Sequence, residues 1–510
     1  MDEGLPYYGG TAPETFAYIA LDSSANIFFS GATQSTILPN AISQPSGAYV
    51  DATHNGSNDL FIFKLDSSGG AGSILWSTYY GGSGFDRPQA MYIEPTGDKL
   101  TIVGYGSSSF PLVNLSGAYN ATSGTSFILQ FDSQLAVSWS TLFGTNSSIQ
   151  DVDGDGNGTL FMVGTISPNG SVPYVNPGGG AYFNTNNSAF DAFIVRFNQS
   201  DTITWCTAFG GTSSDEGFAL VVSGKDFYVS GSTTSNFLSF PLQTQPGEYI
   251  DITVNSNNPD GWIARFAVTG VKKWCTYWGG MGLDYLLDLA CDDNGYIYAL
   301  GTTLSPTSTL DLYATGNSYY QTNQFVSSEA LIVAFNPQNQ QTWATCFGGN
   351  KVESGNAITT FGNNKIYIAG YSYSLPATYP WAYPNQVANE WLDTLKTNFN
   401  QYTGYMARFD ISAISVGFAN EPNEANSILN LFPNPTTGIF TLQVKGLTGE
   451  DVSIKVYDIL GQELINRNIA NNFGTLQEQL DLSALSNGVY MVAVEVGNRF
   501  VKTERIIKQQ

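Results

Sequence analysis

The sequence predicts an all-β protein in which a six-bladed β-propeller precedes a small C-terminal β-sandwich. The first observation is a segment that occurs five times, at intervals of 63 to 69 residues. The second is the character of the intervening stretches, which are short β-branched and aromatic runs separated by Gly, Asn and Asp. The third is a change near residue 419, after which the recurring segment is absent from the sequence.

The recurring segment has the pattern Trp-x-Thr-x-aromatic-Gly. It begins at Trp76, Trp139, Trp205, Trp274 and Trp343. A period of about 65 residues accommodates four short strands with their turns, which is the content of one propeller blade. The repeat therefore indicates a propeller.

Each repeat divides into four predicted strands, and six third strands that end in phenylalanine define six units. These ends are Phe63, Phe131, Phe197, Phe266, Phe335 and Phe409. The sixth unit has no clear Trp strand, whereas residues 5–10 look like the end of one. We therefore expect the N-terminal segment to complete the last blade and close the ring, which removes an exposed strand edge. Residues 414–418 are the alternative for that position.

The chain is expected to divide after the sixth unit. Residues 1–413 form the predicted propeller, residues 414–426 form a polar linker, and residues 427–510 form the predicted β-sandwich. The sandwich is predicted from short strands with alternating hydrophobicity and turn signals. They lie at 438–444, 452–457, 489–496 and 500–507.

Charge and composition exclude several functions. Asp and Glu total 42 against 19 Lys and Arg, a formal charge of −23, which repels nucleic acid and anionic lipid. No apolar run approaches the roughly 18 residues that a membrane-spanning helix needs. The N-terminus lacks the features of a signal peptide, so the chain is either cytosolic or begins after a removed signal. The four cysteines lack Cys-x-x-Cys spacing, so neither a zinc site nor a redox pair is expected.

The repeats resemble a known family. The Trp-x-Thr-x-Phe/Tyr-Gly-Gly units, with an acid four residues after the Gly pair, are similar to the SBBP β-propeller repeats of bacterial surface proteins. The resemblance covers residues 5–410. That family usually has seven blades, so seven is the alternative to the six units counted here.

The tail resembles the C-terminal sorting domain of type IX secretion substrates in Bacteroidota. The matching pieces are Leu431-Phe-Pro-Asn-Pro-Thr-Thr-Gly-Ile-Phe440, Lys455-Val-Tyr-Asp-Ile-Leu-Gly-Gln462, Leu485-Ser-Asn-Gly-Val-Tyr490 and Lys502, in family order. The resemblance implies export across the outer membrane, with residues 427–510 recognised by the type IX secretion machinery. It also implies that a signal peptide has been removed before Met1. The mature protein would then be extracellular or attached to the cell surface.

One repeated acid is a candidate ligand-binding residue. It follows the Gly pair at Glu14, Asp86, Asp215, Asp284 and Glu353, with Ser148 in its place in the third unit. The loops that carry these acids lie on one face of a propeller, so the acids are expected to surround one mouth of the central channel. A cation or a basic ligand could bind there. Alternatively, each carboxylate binds the turn amides of its own blade.

A second candidate site is a calcium loop. Asp151, Asp153, Asp155 and Asn157 form a DxDxDG-type start, and such oxygen ligands suit Ca²⁺. However, Met162 stands where an EF-hand has its bidentate Glu, and other units have plain turns at this point. An Asx-rich turn without metal is therefore the alternative.

A third candidate is the long loop of the sixth unit, residues 376–404. Trp381, Tyr383 and Trp391 lie there beside Asn and Gln, a composition that suits stacking on a polysaccharide. Residues 387–401 also have helical spacing, and a helix packed on the ring would bury Trp391 instead.

Catalytic signatures are scarce. The chain has one histidine, His54, and lacks GxSxG, HExxH, P-loop and GxGxxG patterns. We therefore expect a secreted adhesion or capture protein that binds a polysaccharide or a surface protein, requires no cofactor and carries calcium at most. The alternatives are an enzyme that acts on glycans through channel-mouth carboxylates and a structural component of a surface layer.

Overall fold

The computed structural model describes residues 10–37, 44–66, 74–187, 189–254, 258–314, 319–321, 328–363, 365–374, 403–411, 429–457, 463–496 and 499–509. The chain forms two compact units, Met1–Ser415 and Val416–Gln510. The predicted linker, residues 414–426, and the aromatic loop with Trp381, Tyr383 and Trp391 lie outside the described residues.

The described part of the first unit contains six antiparallel sheets. Five have four strands each: β1 (Glu14–Leu21), β2 (Ile27–Thr33), β3 (Asp59–Leu65), β4 (Ile74–Tyr80); β5 (Arg87–Ile93), β6 (Lys99–Tyr105), β7 (Ser126–Asp132), β8 (Val137–Phe143); β9 (Thr145–Gly154), β10 (Leu160–Ser171), β11 (Asp191–Phe197), β12 (Ile203–Phe209); β13 (Asp215–Ser223), β14 (Asp226–Thr233), β15 (Asp260–Ala267), β16 (Lys272–Trp278); and β17 (Asp284–Cys291), β18 (Ile297–Thr303), β19 (Glu329–Phe335), β20 (Gln341–Phe347). The sixth contains β21 (Glu353–Phe361), β22 (Lys365–Ser372) and β23 (Thr403–Asp410).

The sheets are arranged as propeller blades. Strands pair in chain order within each sheet, and the first strand of every sheet contacts the first strand of the next, from β1 to β21. The middle strands of the first five sheets are largely buried on both faces, whereas β22 of the sixth sheet is only partly buried. The all-β propeller predicted from the repeat is therefore confirmed.

The repeated tryptophan joins adjacent sheets. Each Trp side chain is buried and packs against the phenylalanine that ends the third strand of the following sheet. The ring-centroid distances are 5.2 Å for Trp76–Phe131, 5.8 Å for Trp139–Phe197, 5.8 Å for Trp205–Phe266, 5.2 Å for Trp274–Phe335 and 5.7 Å for Trp343–Phe409. Such aromatic pairs stabilise beyond the apolar area that they bury.

The same tryptophan holds the long loop between the second and third strands, here called the edge loop. Each indole N–H donates to the carbonyl oxygen of an edge-loop tyrosine, and these tyrosines are Tyr49, Tyr119, Tyr182, Tyr249 and Tyr319. The threonine of the Trp-x-Thr motif accepts a second bond; for example, Thr207 Oγ1 accepts from Asn184 N at 2.8 Å. The edge loops also bridge to the outer strand, as Val175 does to Cys206, and so cover its free edge.

The edge loops continue to the next sheet. The backbone N–H groups of Tyr49, Tyr119, Tyr182 and Tyr249 each donate, at 2.9 Å, to a carbonyl oxygen in the turn between the third and fourth strands of the following sheet. The accepting residues are Leu135, Asp201, Gly270 and Asn339, all with positive φ. Each of these four edge loops therefore fastens two sheets.

The sixth and first sheets meet differently. Ile19 of β1 is 66% exposed, whereas its equivalents Val152, Leu220, Leu289 and Ile358 are buried against the preceding sheet. Met406 of β23 is 68% exposed, whereas its equivalents Ile62, Ile128, Ile194, Ile263 and Ile332 are buried against the following sheet. Residues 1–9 and 412–428 lie outside the described part of the chain, so ring closure by residues 5–10 or 414–418, and the number of blades, remain predictions.

The second unit is a small β domain. It contains β24 (Leu429–Phe432), β25 (Ile439–Tyr457), β26 (Glu463–Asp481), β27 (Gly488–Val496) and β28 (Arg499–Lys508). β25 pairs with β26 along its length, and its two ends also pair with β24 and β27. Alternate residues of these strands form one apolar core, for example Phe440, Leu442, Val452 and Ile454.

Residues of the predicted sorting motifs close this domain. Asn434 Oδ1 accepts from the N–H of Ile507 at 3.0 Å, and Thr436 N donates to the Ile507 carbonyl at 2.8 Å. Tyr490 Oη donates to the Ser486 carbonyl at 2.6 Å. The motifs therefore tie the entry of the domain to its last strand and fix one turn.

Removing the threonine hydroxyl should loosen an edge loop. Thr207→Val keeps the shape but leaves the Asn184 N–H without its acceptor, so we expect a loss of about 1–3 kcal/mol in the free energy of unfolding. Proteinase K should also cleave residues 172–187 faster, measured by mass spectrometry. Thr207→Ser, which retains the hydroxyl, is the matched control. Equal cleavage rates in the two variants would contradict the role given to this bond.

Candidate functional site

The predicted acid ring is used to hold backbone turns. Asp86, Asp215, Asp284 and Glu353 are fully buried, and Glu14 is half-buried. Each accepts a hydrogen bond from a backbone N–H of the preceding Gly turn. The donors are Gly10 to Glu14 at 3.0 Å, Gly82 to Asp86 at 2.8 Å, Gly211 to Asp215 at 2.6 Å, Gly280 to Asp284 at 2.8 Å and Gly349 to Glu353 at 3.1 Å.

Further donors come from the end of the second strand. Ser235 Oγ donates to Asp215 at 2.9 Å, and Ser305 Oγ donates to Asp284 at 2.6 Å. Thr233 also donates to Asp215. This geometry corresponds to the alternative in which each carboxylate binds groups of its own blade. The side chains of Asp86, Asp215, Asp284 and Glu353 are buried and do not reach the surface. Binding of a ligand at the channel mouth remains a prediction, and this burial does not support it.

The structure corrects the serine assigned to the third unit. Asp215 pairs across its sheet with Thr233, two residues after the glycine of that strand. The residue that pairs at the same point of β10 is Ser147, opposite Ile166, whereas Ser148 pairs with Thr165. Ser147 therefore replaces the repeated acid. The sequence spacing was misleading because this unit has a single Gly after its Trp strand.

The four predicted calcium ligands face different partners. Asp151 and Asp153 lie within β9, and their Oδ2 atoms accept from Leu220 N and Val222 N of the next sheet, both at 2.7 Å. Asp155 Oδ1 accepts from Asn157 N at 2.9 Å and Thr159 N at 3.1 Å, which is an Asx turn. No group of three potential metal ligands occurs in the described part of the chain. Calcium at this hairpin remains a hypothesis that the arrangement does not favour.

Asp288 is a central residue that sequence reasoning missed. It occupies in β17 the position that Asp151 has in β9, directly after a β-bulge, and its Oδ2 accepts from Ile358 N at 2.7 Å. Burial raises the pKa of Asp288 to about 7. Burial, and then the charge of Asp288, raise the pKa of Asp151 well above its ordinary value. An acid four residues after the repeated acid position was the available signal.

Tyr18 of β1 belongs to the same central group. Burial, followed by the charge of Asp151, raises the Tyr18 pKa to about 12. The first strands thus carry two carboxyl groups with raised pKa values, Asp151 and Asp288, and a phenol, Tyr18, whose pKa is also raised. Their carboxylate oxygens are held by backbone N–H groups, which fixes their orientation.

A second set of acids was also missed. Asp59, Asp191, Asp260 and Glu329 begin the third strands of four sheets and are buried. The aspartates face the repeated acid of the following sheet across the first glycine of the Gly pair. A Cβ added to Gly210 would lie 2.3 Å from Asp191 Oδ1 and 2.5 Å from Asp215 Oδ2.

One end of the propeller exposes apolar side chains. This end, here called the loop face, is where the edge loops begin and end and where each sheet connects to the next. Exposed residues at these positions are Ile37, Phe85, Tyr105, Phe190, Phe237, Leu238, Met281 and Leu304. Exposed apolar groups gathered on one surface are typical of interaction sites.

The C-terminal domain matches a known family. Residues 430–509 match the secretion system C-terminal sorting domain, which confirms the resemblance of the tail. This match indicates export through the type IX secretion system and a cell-surface or secreted location. The described residues include no helix that is long and apolar enough to cross a membrane.

Comparison with curated proteins gives one remote relative. An uncharacterized WD repeat-containing protein, L264, from Acanthamoeba polyphaga mimivirus is 22% identical over 442 residues. The match covers 71% of this chain, which spans 30% of the relative's length.

Solved structures with some similarity include other propellers. The WD40 repeats of RRP9 have 9% identity and a TM-score of 0.34, covering 71% of this chain and 88% of that one. The Cps50 (Swd1) β-propeller domain of Myceliophteria thermophila has 8% identity and a TM-score of 0.29, covering 71% and 96%. These likenesses carry no functional argument. The propeller architecture follows from the strand order and the contacts between successive sheets.

Stability should fall as pH rises in the absence of divalent cations. Burial raises the pKa of Asp153 to about 6 and the pKa values of Asp191 and Asp288 to about 7. The charge of Glu94 adds to the rise for Asp153, and the charge of Asp215 adds to the rise for Asp191. A carboxyl that binds its proton more tightly in the folded state favours folding below its folded pKa, and this advantage is lost above it. In EDTA, the urea midpoint should therefore be higher at pH 5 than at pH 8.

The variant Asp288→Asn should reduce this pH dependence, because it removes one of the titrating groups. Asp293→Asn, at an exposed aspartate of the same sheet, should leave the dependence unchanged. A midpoint at pH 8 equal to or above that at pH 5 would show that the buried acids do not control stability.

Proposed function

We propose that the chain is an extracellular binding protein that captures a protein partner through the loop face of its propeller. It would belong to the SBBP-type surface propellers of Bacteroidota, and its C-terminal domain would be the element that the type IX secretion machinery recognises. The observation that carries the binding role is the set of exposed apolar residues on the loop face.

The composition of the loop face supports a protein partner. Phe237, Leu238 and Met281 are 52%, 81% and 65% exposed. Phe85 and Tyr105 lie together, with ring centroids 6.3 Å apart, and the Arg87 guanidinium lies 6.0 Å from the Phe85 ring. Aromatic residues, Met and Arg are enriched in protein interfaces. A polysaccharide remains the alternative ligand.

The chemistry of the acids supports binding rather than catalysis. The carboxylates of Asp86, Asp151, Asp215 and Asp288 accept backbone N–H bonds, so each has a structural use. His54 Nε2 lies 3.1 Å from the carbonyl oxygen of Thr33 and is likewise engaged with the backbone. A general base would have to be free to approach a substrate.

Export should depend on the C-terminal domain. Deleting residues 430–509 removes the matched sorting domain, so the remainder should accumulate in the periplasm of a host with a type IX system. Fusing the same residues to a periplasmic reporter should send the reporter to the medium or the cell surface. Fractionation followed by immunoblotting measures both. Undiminished secretion of the deleted protein would refute this role.

Binding should depend on the loop face. Phe237→Ser with Leu238→Ser should weaken partner binding at least tenfold, because it removes two exposed apolar anchors. The matched control is Ile250→Ser with Ile252→Ser, an exposed apolar pair further along the same edge loop, which should bind normally. Surface proteins of the producing cells and a polysaccharide panel are the ligands, with retention and product release both recorded.

Three results would change this proposal. Equal binding by both double variants would place the site elsewhere on the molecule. Retention on a polysaccharide alone would replace the protein partner by a glycan. Release of shortened sugars would show that the protein is an enzyme.

A further inference from the structure

Paired aspartates connect adjacent sheets of the propeller. The third-strand acid of one sheet and the repeated acid of the next lie on either side of one glycine, in the pairs Asp59–Asp86, Asp191–Asp215 and Asp260–Asp284. A Cβ on Gly81 would lie 2.7 Å from Asp59 Oδ1 and 3.2 Å from Asp86 Oδ2. On Gly279 it would lie 2.8 Å from Asp260 Oδ1 and 2.9 Å from Asp284 Oδ2. The arrangement therefore recurs at three junctions.

The surroundings of Asp191 indicate that its charge is neutralised by a bound proton or cation. Asp191 is 1% exposed, and neither of its carboxylate oxygens receives a hydrogen bond of normal geometry. Burying an unpaired carboxylate is costly unless a proton or a cation neutralises it.

At the junction between the second and third sheets, both acids are replaced by serine. In the second sheet Ser126 begins the third strand, and in the third sheet Ser147 takes the place of the repeated acid. Here Ser126 Oγ donates to the Ser147 carbonyl at 3.2 Å. The two acids are present together or absent together at these junctions, which is expected if both bind the same proton or cation.

We propose that the Asp191–Asp215 pair, and the two equivalent aspartate pairs, each bind a Ca²⁺ ion buried between adjacent sheets. Two carboxylates neutralise a divalent cation. Both oxygens of Asp191 would be ligands, and the lone pairs of Asp215 that Gly211, Thr233 and Ser235 leave unused, backbone carbonyls or water would complete the shell. Ca²⁺ fits better than Mg²⁺, because it tolerates irregular oxygen cages, whereas Mg²⁺ dehydrates reluctantly and requires octahedral geometry. This site is distinct from the predicted hairpin loop of Asp151 to Asn157.

Calcium stoichiometry tests the proposal directly. The full chain is stripped with EDTA and dialysed against micromolar Ca²⁺, and bound metal is measured by mass spectrometry of the desalted protein. Asp191→Asn should bind one Ca²⁺ fewer per chain than the wild type and should show a smaller calcium-induced rise in Tm. Asp293→Asn, which removes an exposed carboxylate, should match the wild type in both measurements.

A gain-of-site variant guards against a folding defect in Asp191→Asn. Ser126→Asp combined with Ser147→Asp installs an acid pair at the junction that lacks one, so it should bind one Ca²⁺ more than the wild type. Wild-type protein without bound calcium, or unchanged stoichiometry in Asp191→Asn, would overturn the proposal. If the wild type binds no calcium and Asp191→Asn raises Tm at pH 7, the pair shares a proton and the calcium proposal is overturned.

Discussion

The contact between each repeat tryptophan and its surroundings is the interaction on which the propeller depends. One side chain packs on the phenylalanine of the next sheet and donates its N–H to the edge loop of its own sheet, as Trp205 does with Phe266 and Tyr182. The edge loop then donates the Tyr182 N–H to Gly270 in that next sheet. The aromatic contact and both hydrogen bonds involve the same two sheets. The tryptophan therefore links two features of the fold: the covering of the outer strand by the edge loop and the packing of one sheet on the next.

The buried acids follow from this stacking. The first strand of each sheet is an edge strand, so the backbone N–H groups on its free side have no partner in their own ladder, and a carboxylate is a strong acceptor for them. Asp151 reaches Leu220 and Asp288 reaches Ile358 in the next sheet for this reason. The cost is a set of buried charges with raised pKa values. The negative charge of the chain is thus partly a structural feature of the junctions rather than a property of a ligand site.

The repeat made most of the propeller predictable, whereas the acids were only half predictable. Trp-x-Thr spacing gives one sheet per repeat, because the Trp and the Thr lie on the same strand with fixed partners. The role of Asp151 and Asp153 depends instead on the alternation of side chains along a strand. Residues two apart face the same side of a sheet, so both carboxylates point to the neighbouring sheet rather than around a cation. The pairing of Asp191 with Asp215 joins different repeats and is invisible without the stacking geometry.

The junctions also indicate which sheets of the propeller are held most firmly. Repeated units stabilise one another chiefly through their neighbours, so a sheet with one strong junction is less constrained than a sheet with two. From the first to the sixth sheet, each junction has a Trp–Phe contact and contact between first strands. Between the sixth and first sheets, the described residues instead leave Ile19 and Met406 exposed. Of the described sheets, the second to the fifth therefore have such a junction on both sides and are expected to resist local opening most.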